Sequence, residues 1–299
     1  MVEANKHIFV KHFLGLMRSM TSSQCQKTAE NWFNKSVALH DQGNYADAIQ
    51  ALDEAIRLDP NDPHNAVAWN NKGLALYSQG KYDEAVKAYE EAIRLNPKDA
   101  DAWIGKGSAL SKQDKYDEAI NTYEEAIKLD PKLAMAWYNK GNALGDLGKY
   151  DEAIKAYDET IRLDPKYAWS NKGVALFSQG KYDEAIKCYD EAIRLDPKLA
   201  ETWCNRGAAL TNQGNYDEAI RACDEAIRLD PKNAIAWDVK GIAIWNQGNY
   251  ADSINAFNEA IRLDPNNSEV WHHKGIVLNA LGKTAEADAC LCQSKRAGI

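Results

Sequence analysis

The sequence lacks the features of several protein classes. The apolar stretch within residues 1–28 is too short and too charged to cross a membrane, and it has neither a signal-peptide core nor a small-residue cleavage site. Basic residues are also in the minority, because 36 lysines and arginines stand against 44 aspartates and glutamates. Nucleic-acid binding needs a basic stripe. We therefore expect neither a nucleic-acid partner nor a membrane location.

Cysteines are few, and no motif of a familiar catalytic chemistry is present. The chain has six cysteines in 299 residues, and Cys290 and Cys292 are two apart on a predicted helix, so they do not face each other. A disulfide framework is not expected, which fits a reducing, cytoplasmic environment. There is no phosphate-binding glycine loop, no nucleophile elbow and no His-Glu-x-x-His sequence. We expect no enzyme and no cofactor, and the adjacent His272 and His273 point in different directions on a helix, so no metal site is expected.

One stretch of 34 residues recurs along almost the whole chain. A tryptophan marks the same point of each copy: Trp32, Trp69, Trp103, Trp137, Trp169, Trp203, Trp237 and Trp271. The spacings are 37, 34, 34, 32, 34, 34 and 34 residues, which predicts eight copies with one three-residue insertion and one two-residue deletion. The copies lie near residues 29–62, 66–99, 100–133, 134–165, 166–199, 200–233, 234–267 and 268–299. Residues 1–28 are predicted to form an extension, either an amphipathic helix or a partly disordered segment.

Each copy has the pattern of two helices joined by a glycine turn. In residues 166–199, apolar residues recur at three- and four-residue steps on both sides of Gly180, which can take the left-handed conformation that ends a helix. Small residues at fixed places, such as Gly173, predict that the two helices approach closely. Asp190 and Arg194 are predicted to form an i,i+4 ion pair. The two-residue deletion is predicted to break the regularity of the array just before Trp169.

The order of these residues resembles the tetratricopeptide repeat. With the tryptophan as position 4, the unit has Gly at 8, Leu at 11, Gly at 15, Tyr at 17, Ala at 20, Tyr at 24, Ala at 27 and Pro at 32. The match covers residues 29–299, and its wording is similar to repeats that are abundant in methanogenic archaea. The resemblance implies an all-α fold, an α-α superhelix or solenoid of antiparallel helix pairs. In this family the first helix of each unit lines a concave groove with positions 2, 5, 6, 9, 12 and 13.

Position 6 is asparagine in five copies, and aromatic residues occupy several other groove positions. The asparagines are Asn34, Asn71, Asn139, Asn171 and Asn205. An asparagine amide can pair with the N–H and C=O groups of an extended peptide, although it can equally bridge neighbouring turns or be repeat consensus without a ligand. The candidate aromatic anchors are Tyr77, Tyr138, Phe177 and Trp245, which can alternatively pack against the next repeat.

Position 7 is basic in every copy, from Lys35 to Lys274. The resemblance offers a site for acidic chaperone tails in some members, but that site needs lysine at positions 2 and 5, which never occurs here. The basic column is therefore predicted to pair with neighbouring carboxylates. We expect a non-catalytic scaffold that binds a peptide segment or a helix of a partner protein in the groove. The alternative is a structural solenoid that self-associates or docks through its amino-terminal helix.

Overall fold

A computed structural model describes residues 22–58 and 65–298, and within these ranges it contains sixteen α-helices and no strand. The helices are α1 (Ser22–Asp41), α2 (Tyr45–Leu58), α3 (Asn65–Ser78), α4 (Tyr82–Leu95), α5 (Ala100–Ser111), α6 (Tyr116–Leu129), α7 (Ala134–Asp146), α8 (Tyr150–Leu163), α9 (Trp169–Ser178), α10 (Tyr182–Leu195), α11 (Ala200–Gln213), α12 (Tyr216–Leu229), α13 (Ala234–Asn246), α14 (Tyr250–Leu263), α15 (Ser268–Ala280) and α16 (Thr284–Ala297). The all-α prediction is confirmed. Helix α1 starts seven residues before the predicted repeat boundary at residue 29, and the rest of the predicted extension, residues 1–21, lies outside the described residues.

The helices form two compact units, with residues up to Leu147 in unit 1 and residues from Gly148 in unit 2. Unit 1 contains α1 to α7, and unit 2 contains α8 to α16. Within each unit every helix packs against the next one in the chain, and the turns that the structure describes are too short to allow anything but an antiparallel path. No helix of the described ranges is long and apolar enough to span a membrane.

Glycine at position 8 lets the two helices of a pair come close. A Cβ atom on Gly173 would lie 2.5 Å from Cε1 of Tyr189, and the same distance separates a Cβ on Gly241 from the Phe257 ring. The prediction of a close approach at this position is therefore confirmed. In the first pair Ser36 replaces the glycine, and its Oγ donates to the Phe33 carbonyl oxygen at 2.6 Å. The partner there is Leu52 rather than an aromatic ring.

The turns follow the sequence except where two residues are missing. Asp114 takes the glycine position with φ of 58°, a left-handed conformation that aspartate tolerates better than most residues. At the deletion, Ala168 is forced to φ of 74°, and α9 starts at Trp169 itself. In contrast, α11 starts three residues before Trp203. The backbone is therefore irregular at the predicted place, where the first helix is shortened, and the break in the regularity of the array stays a prediction.

The basic column at position 7 pairs with carboxylates, as predicted. Six of the eight cations reach the preceding second helix: Lys72 to Asp53 at 2.5 Å, Lys106 to Glu90 at 2.9 Å, Lys140 to Glu124 at 2.8 Å, Lys172 to Asp158 at 2.5 Å, Arg206 to Asp190 at 2.7 Å and Lys240 to Asp224 at 2.6 Å. Several of these lysines also lie over the repeat tryptophan. The predicted Asp190–Arg194 pair is wrong, because Asp190 is taken by Arg206 and Arg194 binds Glu191 at 2.8 Å.

Candidate functional site

The first helices of successive repeats share one face of each unit. In unit 1, α3 contacts α5 and α5 contacts α7; in unit 2, α9, α11, α13 and α15 contact one another in succession. These helices approach one another more closely than the second helices of the same repeats do. They therefore form the inner side of each stack, which we call the first-helix face. It is the surface on which the groove positions were predicted.

The predicted asparagines all lie on first helices, but they are not equally free to bind a ligand. Asn34 is exposed, whereas the other four asparagines at position 6 are half-buried. The Asn139 amide nitrogen donates to Oγ of Ser108 at 3.4 Å, and that hydroxyl also lies 3.5 Å from the Tyr123 hydroxyl. Bridging between neighbouring repeats is thus one observed use of this position. Binding of a ligand by the asparagine column stays a prediction.

The predicted aromatic residues are half-buried, and three of them contact the helix that follows. Tyr77 packs edge to face on Tyr82 with ring centroids 5.4 Å apart, and Phe177 meets Tyr182 in the same way at 5.3 Å. Trp245 packs against the cluster around Phe257. Tyr138, at position 5, is also half-buried. These contacts fix the rings in place, and anchoring of a ligand by their remaining surface stays a prediction.

The sequence interpretation missed the side chains that are most available on this face. Large hydrophobic residues are exposed at positions 2 and 9, which are seven residues and about two helical turns apart. Examples are the pairs Val67 with Leu74 in α3, and Tyr167, two residues before α9, with Val174 in the middle of α9. The repeat pattern already placed both positions in the groove. The pattern did not indicate that packing leaves the side chains at these two positions exposed to solvent.

Near the end of unit 2, position 6 is histidine instead of asparagine, and this histidine forms a half-buried ion pair. Nδ1 of His273, at position 6, lies 2.9 Å from Oδ1 of Asp238, at position 5 of the preceding repeat. The two side chains are 25% and 12% exposed. The hydrogen bond that the His273 ring donates to Asp238 raises the pKa of His273, and burial opposes that effect only in part. This pair joins α13 to α15 and was not predicted.

A small cavity opens in unit 1 between the first two repeats. It has a volume of about 310 Å³ and is lined by residues that include Ser36, Val37, His40, Asn71 and Leu74. Nε2 of His40 is buried and has no hydrogen-bond partner among the described residues. The cavity places a predicted asparagine beside an exposed leucine and a free imidazole nitrogen. Such a mixture suits a side chain with an apolar body and a polar tip.

The cysteines of the described ranges do not offer a nucleophile on this face. Cys188, Cys204, Cys223 and Cys290 are buried and unbridged. Burial raises the pKa of Cys188 to about 11 and that of Cys204 to about 12, so both are thiols at neutral pH. Among the described residues, no three histidine, cysteine or acidic side chains are grouped to hold a metal ion.

Comparisons with known proteins agree with this architecture. Family models described as tetratricopeptide repeat match residues 27–98, 70–134 and 106–168, and a model of the C-terminal domain of cilia and flagella-associated protein 70 matches residues 166–299. A comparison with curated proteins gave no match.

Solved structures show the same fold at low sequence identity. A tetratricopeptide repeat protein from Parabacteroides merdae ATCC 43184 is 20% identical, with a TM-score of 0.65 over 84% of this chain and 99% of that one. YrrB, described as having an unusual peptide-binding site, is 24% identical, with a TM-score of 0.52 over 63% of this chain and 98% of that one. MamA is 26% identical, with a TM-score of 0.51 over 54% of this chain and 96% of that one. Similarity to archaeal repeats and the count of eight copies stay predictions.

Proposed function

The chain carries tetratricopeptide repeats, and on this premise we propose that it is a non-catalytic scaffold that binds a peptide segment or helix of a partner protein on its first-helix face. The observation that supports the proposal most directly is that this face exposes apolar side chains at the same two positions, 2 and 9, in several repeats. Scattered single hydrophobic residues are normal on a protein surface, whereas aligned ones mark an interaction site. We place the protein in the cytoplasm.

The polar and the aromatic groups of the face would contact different parts of the bound segment. The amides of Asn34, Asn71, Asn139, Asn171 and Asn205 would pair with the backbone of the bound segment. The rings of Tyr77, Tyr138, Phe177 and Trp245 would contact its side chains. Because three of these rings are held by packing within their own repeat, little conformational freedom is lost when a ligand binds them. YrrB supports this mode, since it is a protein of similar fold described as binding a peptide.

The alternative function is an assembly role, in which the chain binds copies of itself or docks through its amino-terminal segment. The exposed apolar residues favour self-association as much as partner binding, since Ile235 is 62% exposed. Sedimentation equilibrium separates the two functions. A mass that rises with concentration, and returns to that of a monomer when Ile235 is changed to Ser, would support assembly.

The groove proposal is tested by changing Asn71, Asn139, Asn171 and Asn205 together to Ala in the full chain. A matched control changes four exposed amides on second helices, which are Gln50, Asn121, Asn255 and Asn258. Both variants must keep the wild-type circular dichroism spectrum. We expect the groove variant to lose proteins that wild type and control retain from a native lysate. If all three chains retain the same proteins, the asparagine column is not the binding site.

A further inference from the structure

The exposed hydrophobic residues are concentrated at one repeat position. Among the large hydrophobic side chains of the described residues, the four most exposed are Ile235 at 62%, Met135 and Tyr167 at 49%, and Val67 at 46%. Each lies two residues before the repeat tryptophan, at position 2. Packing therefore leaves this position open in every repeat where it is apolar. It is the position at which a ligand meets the least competition from the fold.

The remaining copies carry an acidic residue at position 2, and the two kinds alternate within each unit. Unit 1 has, in order, Glu30, Val67, Asp101 and Met135, and unit 2 has Tyr167, Glu201, Ile235 and Glu269. All eight side chains are exposed. The same alternation of acidic and apolar side chains thus occurs in both units. If position 2 served only solubility, we would expect an acidic residue there in every copy. If it served only an apolar contact, we would expect an apolar residue in every copy.

The carboxylates of this row in unit 2 have no ion-pair partner in the described part of the chain, although Glu269 helps to raise the pKa of the nearby His273. Of the cations on the same helices, Lys172, Arg206 and Lys240 are directed to carboxylates on second helices, and Lys274 of α15 lies over the Trp271 ring. The side chains of Glu201 and Glu269 form no ion pair with any residue in the described part of the chain. At the groove positions of α9, α11, α13 and α15 the sequence has neither lysine nor arginine. The face of unit 2 therefore has an acidic and apolar character that a basic and apolar ligand complements.

The distance between the helices sets the spacing of the complementary ligand. Successive first helices contact one another, and packed helices lie about 8–10 Å apart. An extended chain advances about 3.3 Å per residue, so roughly every third residue of a bound strand would meet a new repeat. Resting on the proposed function, we propose that the first-helix face binds an extended protein segment in which apolar and basic side chains alternate at every third residue. Position 2 is the specificity-determining contact of each repeat.

A selection from random peptides tests this pattern without assuming it. Peptides of about twelve residues, long enough to cross four repeats at three residues each, are displayed on phage and selected on the immobilised full chain. We expect enriched peptides to carry lysine or arginine three residues from an aliphatic or aromatic residue. One enriched peptide is then synthesised, together with an isomer in which the same residues are shuffled so that the basic side chains are adjacent. Fluorescence anisotropy should show at least tenfold weaker binding of the isomer.

Charge reversal in the protein tests the other half of the contact. Glu201→Lys with Glu269→Lys should weaken binding of the selected peptide at least tenfold and strengthen binding of the same peptide with glutamate in place of its basic residues. Acidic residues in a first turn also stabilise a helix, so a matched control is needed. Glu184→Lys with Glu218→Lys makes the same change in the first turns of α10 and α12, which are second helices. This control should bind like wild type.

The outcomes separate this inference from the broader function. If selected peptides depend on the asparagine column but show no preference for basic residues or for the three-residue spacing, the scaffold function stands and the alternation rule is overturned. If the isomer binds as tightly as the selected peptide, the register is overturned. If no enriched peptide loses affinity in either the asparagine variant or the position 2 variant, both the groove function and the alternation rule fail.

Discussion

A single methyl group at Gly173 tests the packing that holds a helix pair together. A Cβ atom added there would lie 2.5 Å from Cε1 of Tyr189 and 2.8 Å from Cδ1. Ordinary contact needs about 3.5 Å or more between carbon atoms, so the ring or the whole helix must move by about 1 Å. Tyr189 is only 1% exposed, and its ring has no open side to move toward. The Gly173→Ala variant must therefore push α9 away from α10.

Two opposing effects set the size of the loss. Overpacking a filled core costs about 1–3 kcal/mol, whereas replacing glycine by alanine within a helix stabilises it by up to about 1 kcal/mol. We expect Gly173→Ala to lower the free energy of unfolding by about 1–2 kcal/mol. Urea titration followed by circular dichroism measures the change. Because repeat arrays unfold in parts, hydrogen exchange of α9 and α10 should locate the loss within this pair.

Gly275→Ala is the matched control, because its neighbour can yield. A Cβ atom there would lie 3.0 Å from the flexible end of Leu291 instead of a fixed ring. This variant should be neutral or slightly stabilised. Gly173→Ala should cost less stability in a chain that already carries Tyr189→Leu than it costs in wild type, because the ring that it clashes with is then absent. The reasoning is refuted if Gly173→Ala is as stable as wild type, or if both alanine variants lose the same stability.

Two further predictions concern the backbone and the ion pair of unit 2. Ala168→Gly should raise the free energy of unfolding by up to about 1 kcal/mol, since a left-handed alanine is strained. Gly180→Ala, at φ of 73°, should lower it by about 1–2 kcal/mol for the same reason. Urea titration measures both changes, and a change of the opposite sign in either variant contradicts the argument. Asp238→Ala at pH 6 should cost about 1.5–3 kcal/mol, because it removes the carboxylate that accepts a hydrogen bond from the charged imidazole. Since the pKa of His273 is raised on folding, its stabilisation is complete below the unfolded pKa of about 6.5 and is lost as pH rises through the folded value. Urea titrations from pH 6 to 9 should show this decline in wild type but not in His273→Gln.

Much of the fold could be predicted because it depends on local rules. The period, the glycine turns and the close approach at position 8 each follow from a few residues and the geometry of a helix. The basic column was predicted to be paired, but the partner of Arg194 was not predicted correctly. Asp190 lies one turn from Arg194 and also faces Arg206 of the next repeat, and the contact between repeats prevails. Only the register of neighbouring repeats decides that competition.

The candidate site was predicted less completely, for a related reason. Asparagine recurs at position 6 in five of the eight copies, and this recurrence led to the prediction that the column binds a ligand. Part of that column is used within the protein, as the bond from Asn139 to Ser108 shows. The Asp238–His273 pair joins residues 35 positions apart, and neither belongs to the repeat consensus. Contacts of this kind appear only when one repeat is placed on the next.

The same reasoning indicates where the specificity of a repeat protein should lie. Residues that are the same in every copy are held there by packing, which acts equally on each repeat and cannot distinguish one ligand from another. Position 2 is free of that requirement, because Glu201 and Ile235 occupy equivalent exposed places without disturbing the helices that carry them. An exposed ion pair contributes only about 0.2–1 kcal/mol, so no single repeat can select a partner. The order of acidic and apolar residues over several repeats can, because a ligand shifted by one repeat brings its basic side chains onto apolar neighbours and loses the contribution of every repeat at once.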